Sequence, residues 1–110
     1  MIFDKEGNTT IVFQEKSSLP EFLNNLKSAY PKLRNDHLII NLFSFDSLTT
    51  EDLLEFLELS DRHRGNGKSF VLVSDKITYE QVPDELNLTP SLQEARDIIE
   101  MEEIERDLDL

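Results

Sequence analysis

The fold is decided by the stretch DHLIINLFSFDSLTTEDLLEFLELSDRHRGNGKSFVLVS, residues 36–74. It contains two apolar runs, 38–43 and 70–73, in which apolar residues do not alternate regularly with polar ones. Continuous runs of this kind are typical of strands covered on both faces, and their shortness and β-branched content favour strands over buried helices. We therefore expect the two runs to be adjacent parallel strands near the middle of one sheet.

The segment between these strands predicts a helix over 50–64. Thr49 can cap its first turn together with Asp52, three positions later, and the run Gly65-Asn66-Gly67 ends it after a basic last turn. Its apolar residues recur at helical spacing, namely Leu53, Leu54, Phe56 and Leu57. Strand, helix and strand form a βαβ unit, whose crossover is right-handed in nearly all proteins.

A hairpin and a helix are predicted before this unit. The runs 1–3 and 10–13 flank a turn at Gly7-Asn8, two residues that tolerate positive φ. Ser18 caps the start of the helix, and Pro31 is expected to end it in a polar connection.

The pattern weakens after the second strand. Leu86-Asn87-Leu88 is compatible with a short edge strand, and Ser91 with Glu94 can cap a last helix. Beyond Met101 only isolated apolar residues continue the stripe of that helix, so residues 100–110 are expected to project or fray.

Length and composition are those of one small globular domain. At 110 residues the chain fits a single α/β domain over 1–110, with a mixed sheet, central parallel strands and helices packed largely on one side. The absence of cysteine excludes disulfides, thiolate nucleophiles and cysteine zinc sites. Residues 1–6 do not resemble a secretory signal, and the apolar runs are too short to span a bilayer. We expect a cytoplasmic protein.

Charge limits the partners that the protein can bind. The formal net charge is −12, and residues 94–110 alone carry eight acids and two bases, half of that total. A negative field repels phosphate backbones and anionic lipid, so direct binding to nucleic acid or to a membrane is not expected. Two interpretations of the acidic end stay open, a solvated surface or an interface for a basic protein partner.

Residues for catalysis or metal binding are few. The only histidines are His37, which opens a strand, and His63, in the last turn of a helix where the dipole stabilises a cation. Two histidines and scattered acids are too few to indicate zinc. A small hydrolase would have only hydroxyls and acids, without a nearby base and its orienting group. We therefore predict no catalytic residue, no metal and no cofactor.

A cluster of hydroxyl groups follows the first central strand. Open α/β sheets bind ligands beyond the carboxyl ends of their strands, against a helix N-terminus. The alternative is an ordinary loop with caps, since no glycine-rich phosphate cradle is present. If the segment is a partner-binding surface, its residues are Ser44, Ser47, Thr49, Thr50 and Glu51.

The order of these elements resembles the STAS domain family, the sulfate-transporter and anti-sigma-factor-antagonist modules. The family has an acid-Leu pair ending a strand, Asp-Ser-Ser-Gly-Leu starting the next helix, a Gly before the following strand and Ser-Leu-x-x-Ala opening the last helix. The corresponding positions here are Asn41-Leu42, Thr49-Thr50-Glu51-Asp52-Leu53, Gly67 and Ser91-Leu92-Gln93-Glu94-Ala95. The resemblance covers roughly residues 9 to 100 and implies a non-enzymatic regulatory module that binds a basic or kinase-like protein partner.

The chain departs from the family where the mechanism is concerned. Anti-sigma antagonists are phosphorylated on a serine at this helix start, but that position holds Glu51, which cannot be phosphorylated. Thr50, one step away, is the possible site of modification. Glu51 is either a fixed substitute for a phosphoserine or a plain first-turn acid that the helix dipole favours.

The chain also resembles short bacterial proteins labelled ribonuclease Z. That enzyme is a much longer zinc hydrolase of the metallo-β-lactamase fold with an HxHxDH ligand motif, which this sequence lacks. The resemblance therefore implies at most an accessory protein associated with ribonuclease Z, which would act through its acidic C-terminal helix.

Overall fold

The computed structural model describes residues 1–108, which form one five-stranded sheet covered by helices. The strands are β1 (Ile2–Glu6), β2 (Thr9–Phe13), β3 (His37–Asn41), β4 (Phe70–Val73) and β5 (Asn87–Thr89). The helices are α1 (Leu19–Leu33), α2 (Thr50–Leu54), α3 (Leu57–Gly65) and α4 (Leu92–Leu108), and a short 3₁₀ turn spans Tyr79–Gln81.

The five strands lie side by side in chain order. β1 and β2 form the predicted antiparallel hairpin, with Gly7 at a φ of 62°, and the pairs β2–β3, β3–β4 and β4–β5 are parallel. β3 is the central strand, and its Ile39 lies opposite Val71 of β4. The prediction of two adjacent parallel central strands is confirmed, as is the short edge strand β5.

The apolar runs are continuous because both faces of the sheet are covered. One face, with Leu38, Ile40 and Leu72, packs in a core cluster with α1, α2 and α3. The other face, with Ile39 and Val71, packs only against α4. The crossovers between successive parallel strands all have the same hand, so their connections lie on the same face of the sheet. Helix α4 follows the last strand and runs back across the opposite face. Helices are thus largely on one side, with α4 as the exception.

The single helix predicted over 50–64 is wrong, because the structure has two helices joined at Glu55-Phe56. The Phe56 N–H donates to the Leu53 carbonyl three residues earlier, as in a 3₁₀ turn. Leu53, Phe56 and Leu59 are all buried although they recur every three residues. In a continuous α-helix of 3.6 residues per turn this series would rotate off the core face, and the tighter turn between α2 and α3 corrects it.

One other expected helix end, that of α1, is also wrong. Helix α1 continues through Pro31 and buries Leu33, and the Arg34 N–H still donates to the Tyr30 carbonyl, so the proline costs only one bond of the last turn. Of the two alternatives expected for the end of α4, to project or to fray, fraying is not observed, because the helix continues to Leu108. The last two residues of the predicted frayed end, 109 and 110, lie outside the described residues. No helix within residues 1–108 is both long enough and apolar enough to cross a membrane.

Candidate functional site

The loop after β3 is fixed to the rest of the fold at both of its ends. The Ser44 hydroxyl donates to the backbone carbonyl of Gln14 at 2.6 Å, just after β2. The Thr50 hydroxyl donates to the carbonyl of Gln81 at 2.9 Å, in the 3₁₀ turn. The loop is therefore held between two neighbouring segments at the carboxyl end of the parallel strands.

Thr49 caps α2 as predicted. The Asp52 N–H donates to the Thr49 hydroxyl at 3.2 Å, and the Thr49 N–H donates to the Asp52 carboxylate at 3.0 Å, which completes a capping box. Because α2 has only five residues and the carboxylate of Asp52 already lies at its start, its N-terminus is not an anion-binding helix terminus.

The five predicted partner-binding residues thus divide into two groups. Ser44, Thr49 and Thr50 use their hydroxyl groups within the fold. Ser47 and Glu51 are exposed. Two large apolar side chains, Phe43 and Leu54, lie on either side of the segment 44–52 in sequence and are each 39% exposed.

A groove of about 550 Å³ lies on the other side of the 3₁₀ turn, beside the edge strand β5. Its apolar wall comes from segments far apart in the chain, with Ile77 and Tyr79 before β5, Leu88 in β5, and Ile98 and Met101 on α4. Sequence reasoning missed this groove. The only signal was that Ile77 and Tyr79 fit no helical or alternating pattern.

His63 lies at the opposite end of the sheet and is fully buried. Its Nε2 lies 2.7 Å from the Asp36 carbonyl oxygen, which can only accept, so Nε2 carries the proton. Nδ1 then accepts from the Tyr30 hydroxyl at 2.8 Å. Burial lowers the pKa of His63, although the bond to the Asp36 carbonyl opposes the shift. His63 thus has a structural role, but as a buried ring hydrogen-bonded within the core and not as an exposed cation at the helix end.

His37 has a similar structural role. Its Nδ1 accepts from the Ser69 N–H at 3.0 Å, and its Nε2 lies 3.4 Å from the Glu103 carboxylate. Burial lowers the pKa of His37, and the nearby carboxylate of Glu103 only partly offsets this effect. Both ring nitrogens are thus occupied by contacts that hold β3 to its neighbours.

The end of α4 is attached to the sheet beside His37. The Ser69 hydroxyl donates to the Glu102 carboxylate at 2.6 Å, and the Arg106 guanidinium donates to the Ser69 hydroxyl at 3.2 Å. These contacts explain why α4 continues to Leu108, and the sequence alone did not indicate them. Within residues 1–108, no three Asp, Glu or His side chains are gathered as metal ligands would be.

No protein-family model matches this chain, and no curated protein matches it at a significant level.

Proposed function

We propose that this protein is a non-enzymatic regulatory module of STAS type that binds a partner protein through the segment 44–52. The observation that carries the proposal is the fixation of this segment by Ser44 and Thr50, while Ser47 and Glu51 remain exposed. A loop held in one conformation loses little entropy when a partner binds, so it is suited to recognition.

The chemistry of the segment favours a fixed negative charge over a phosphorylation switch. Glu51 stands where the STAS family has its phosphorylated serine. Thr50, the alternative site of modification, is half-buried and donates its hydroxyl to the Gln81 carbonyl. A kinase would have to break that bond first. The partner in this proposal is a basic or kinase-like protein that recognises the negative charge of Glu51 while Thr50 stays unmodified.

The non-enzymatic part of the proposal is supported by where the histidines lie. His37 and His63 are buried and hydrogen-bonded within the core, far along the strands from the segment 44–52. A general base must reach its substrate within hydrogen-bonding distance, and neither ring faces an open surface. The charge of −12 supports a protein without direct contact to nucleic acid or to an anionic membrane.

A second candidate function rests on the outer face of α4. Met101, Ile104 and Leu108 are 60%, 54% and 80% exposed and recur at i, i+3 and i+7. This spacing is that of a helix that docks into a groove. Exposed acids, among them Glu100 and Glu105, lie on the same outer half of the helix. The face fits an accessory protein that binds a basic partner, with ribonuclease Z as the enzyme it would accompany.

Affinity capture with matched variants separates the two candidates. The bait proteins are the wild type, Ser47→Lys/Glu51→Lys, and Ile104→Ser/Leu108→Ser, with Glu55→Lys/Glu58→Gln as the control, because it makes the net charge more positive by the same amount as the first double variant. We expect the first double variant to lose the captured partner and the control to retain it. Truncation after Met101 is avoided because it would also remove the bonds of Glu102 and Arg106 to Ser69.

Two results would contradict the leading proposal. If only Ile104→Ser/Leu108→Ser loses the partner, α4 is the interface and the accessory function replaces the STAS-type one. If the Glu55→Lys/Glu58→Gln control loses it as well, binding depends on net charge and not on the segment 44–52.

A further inference from the structure

The groove beside β5 is an open apolar surface of ligand-binding size. Its volume of about 550 Å³ lies within the range of ordinary binding pockets. Tyr79 stands at its edge with 69% of its surface exposed, and Met101 lies on the opposite wall with 60% exposed. Large exposed apolar side chains that converge on one concavity are typical of an interaction site.

The rim of the groove is acidic. Asp75 follows β4, and Glu94 and Asp97 lie on the first turns of α4. All three are exposed, and the nearby cation is Lys76, which lies 3.8 Å from Asp75. An occupant of the groove must therefore combine apolar side chains for the wall with positive charges for the rim.

The charge also selects between possible occupants. A second copy of the chain, with a net charge of −12, would bring like charges together at the rim. Nucleic acid and anionic membranes are repelled for the same reason. A basic protein segment is attracted, and its association is accelerated by the field.

The geometry favours a helical segment over an added strand. The free edge of β5 has only three residues and is followed by Pro90, which has no N–H, so pairing along that edge would form few bonds. Side chains of the wall would supply most of the contact. Met101 is flexible and can adjust to different apolar partners.

We propose that this groove binds a cationic amphipathic helix of a partner protein, with the apolar face of that helix against Tyr79, Ile98 and Met101 and its Lys or Arg residues against Asp75, Glu94 and Asp97. This surface is separate from the segment 44–52, and the inference does not depend on the function proposed for that segment.

The test uses two fluorescent synthetic peptides made only of Leu and Lys. One has its leucines on one helical face, and the other has the same composition in an order without such a face. We expect the amphipathic peptide to bind the wild type at least about tenfold more tightly than its isomer. Tyr79→Ser/Met101→Ser should weaken that binding about tenfold or more, because it removes exposed anchors without altering charge.

A second pair of variants tests the rim. Asp75→Asn/Glu94→Gln/Asp97→Asn removes three negative charges at the groove, and Glu15→Gln/Glu55→Gln/Glu58→Gln removes three exposed charges elsewhere. We expect the rim variant to bind more weakly and with a shallower salt dependence than the control. Circular dichroism and urea unfolding verify that all variants remain folded.

Four results would overturn the proposal. The first would be equal binding of the two peptides. The second would be a control triple variant that weakens binding as much as the rim variant does. Either result would indicate unspecific attraction. The third would be saturation of the groove by a simple alkylamine without binding of the amphipathic peptide, which would make the groove a small-molecule site. The fourth would be a wild type that dimerises in sedimentation experiments while Tyr79→Ser/Met101→Ser does not. The occupant of the groove would then be a second copy of the chain.

Discussion

The two ends of the sheet differ in what they do with their polar side chains. At the amino end of the parallel strands, His37, His63 and Ser69 are buried, and Glu102 and Arg106 of α4 bond to Ser69. At the carboxyl end, the segment 44–52 and the groove are open. Groups capable of acid–base chemistry thus hold the closed end together, whereas the open end offers apolar and acidic surface. This contrast is why we propose that binding takes place at the open end.

The largest effect should come from a change at the closed end. His63→Ala would leave a cavity beside Tyr30 and Phe70 and remove the partners of the Tyr30 hydroxyl and the Asp36 carbonyl. We expect a loss of about 3–5 kcal/mol in the free energy of unfolding, measured with urea. Ser47→Ala at the open end should change it by less than about 0.5 kcal/mol. Similar values for both would remove the distinction between the two ends.

A smaller effect should result from releasing the end of α4. Glu102→Gln weakens the charged acceptor for Ser69 and Arg106, and we expect it to cost about 1–2 kcal/mol. Glu105→Gln is the matched control on the same helix, since its side chain is exposed and its replacement should be nearly neutral. Amide hydrogen exchange should show faster opening of α4 after Met101 only in the first variant. Equal exchange in both would mean that the contacts with Ser69 do not hold the helix.

The histidines should make stability depend on pH in one direction. Burial lowers the pKa of both rings below the ordinary value of 6.5, although Glu103 faces His37, while Lys68 and Arg106 reinforce the shift. As the pH falls below about 6.5, the histidines of the unfolded chain take up protons before those of the folded protein do. Acid therefore shifts the equilibrium towards the unfolded state. We expect the free energy of unfolding to be highest above that pH and to decrease towards pH 5. NMR titration of the two histidine rings should give pKa values below 6.5. A pKa above 6.5 for either ring would contradict its assignment as neutral.

A small effect, and one of opposite sign, should come from Ser60. It is fully buried in α3, and its hydroxyl group makes no hydrogen bond within residues 1–108. Because a buried hydroxyl without a partner is unfavourable, Ser60→Ala should be neutral or should stabilise the protein by up to about 1 kcal/mol in urea unfolding. A destabilisation of similar size would show that the hydroxyl is hydrogen-bonded in solution.

The central strands and the helix starts could be predicted from the sequence. The runs 38–43 and 70–73 are apolar on both faces because helices cover both faces of the sheet. The residues of each run are therefore enough to indicate that the strand is buried. The caps Thr49 and Ser91 depend on a side chain and an N–H three residues away, so they too are local. These features need no knowledge of the rest of the fold.

What could not be predicted depends on contacts between distant segments. The division between α2 and α3 follows from the need to bury Leu53, Phe56 and Leu59 together, although no glycine or proline marks it. The burial of His63 was not predicted, because its place at a helix end does not reveal the hydrogen bonds to Tyr30 and Asp36, which come from distant segments. The groove joins Ile77 with Ile98 across β5, and no local pattern contains that pairing.

The central claim is that binding occurs at the carboxyl end of the strands and that the amino end is structural. Titration of isotope-labelled protein with the amphipathic Leu/Lys peptide, followed by NMR, tests it most directly. We expect shift changes at residues 75–81, 88–90 and 94–101, with the ring signals of His37 and His63 unchanged. Changes concentrated at the two histidines and Ser69, or spread evenly over the chain, would contradict the account.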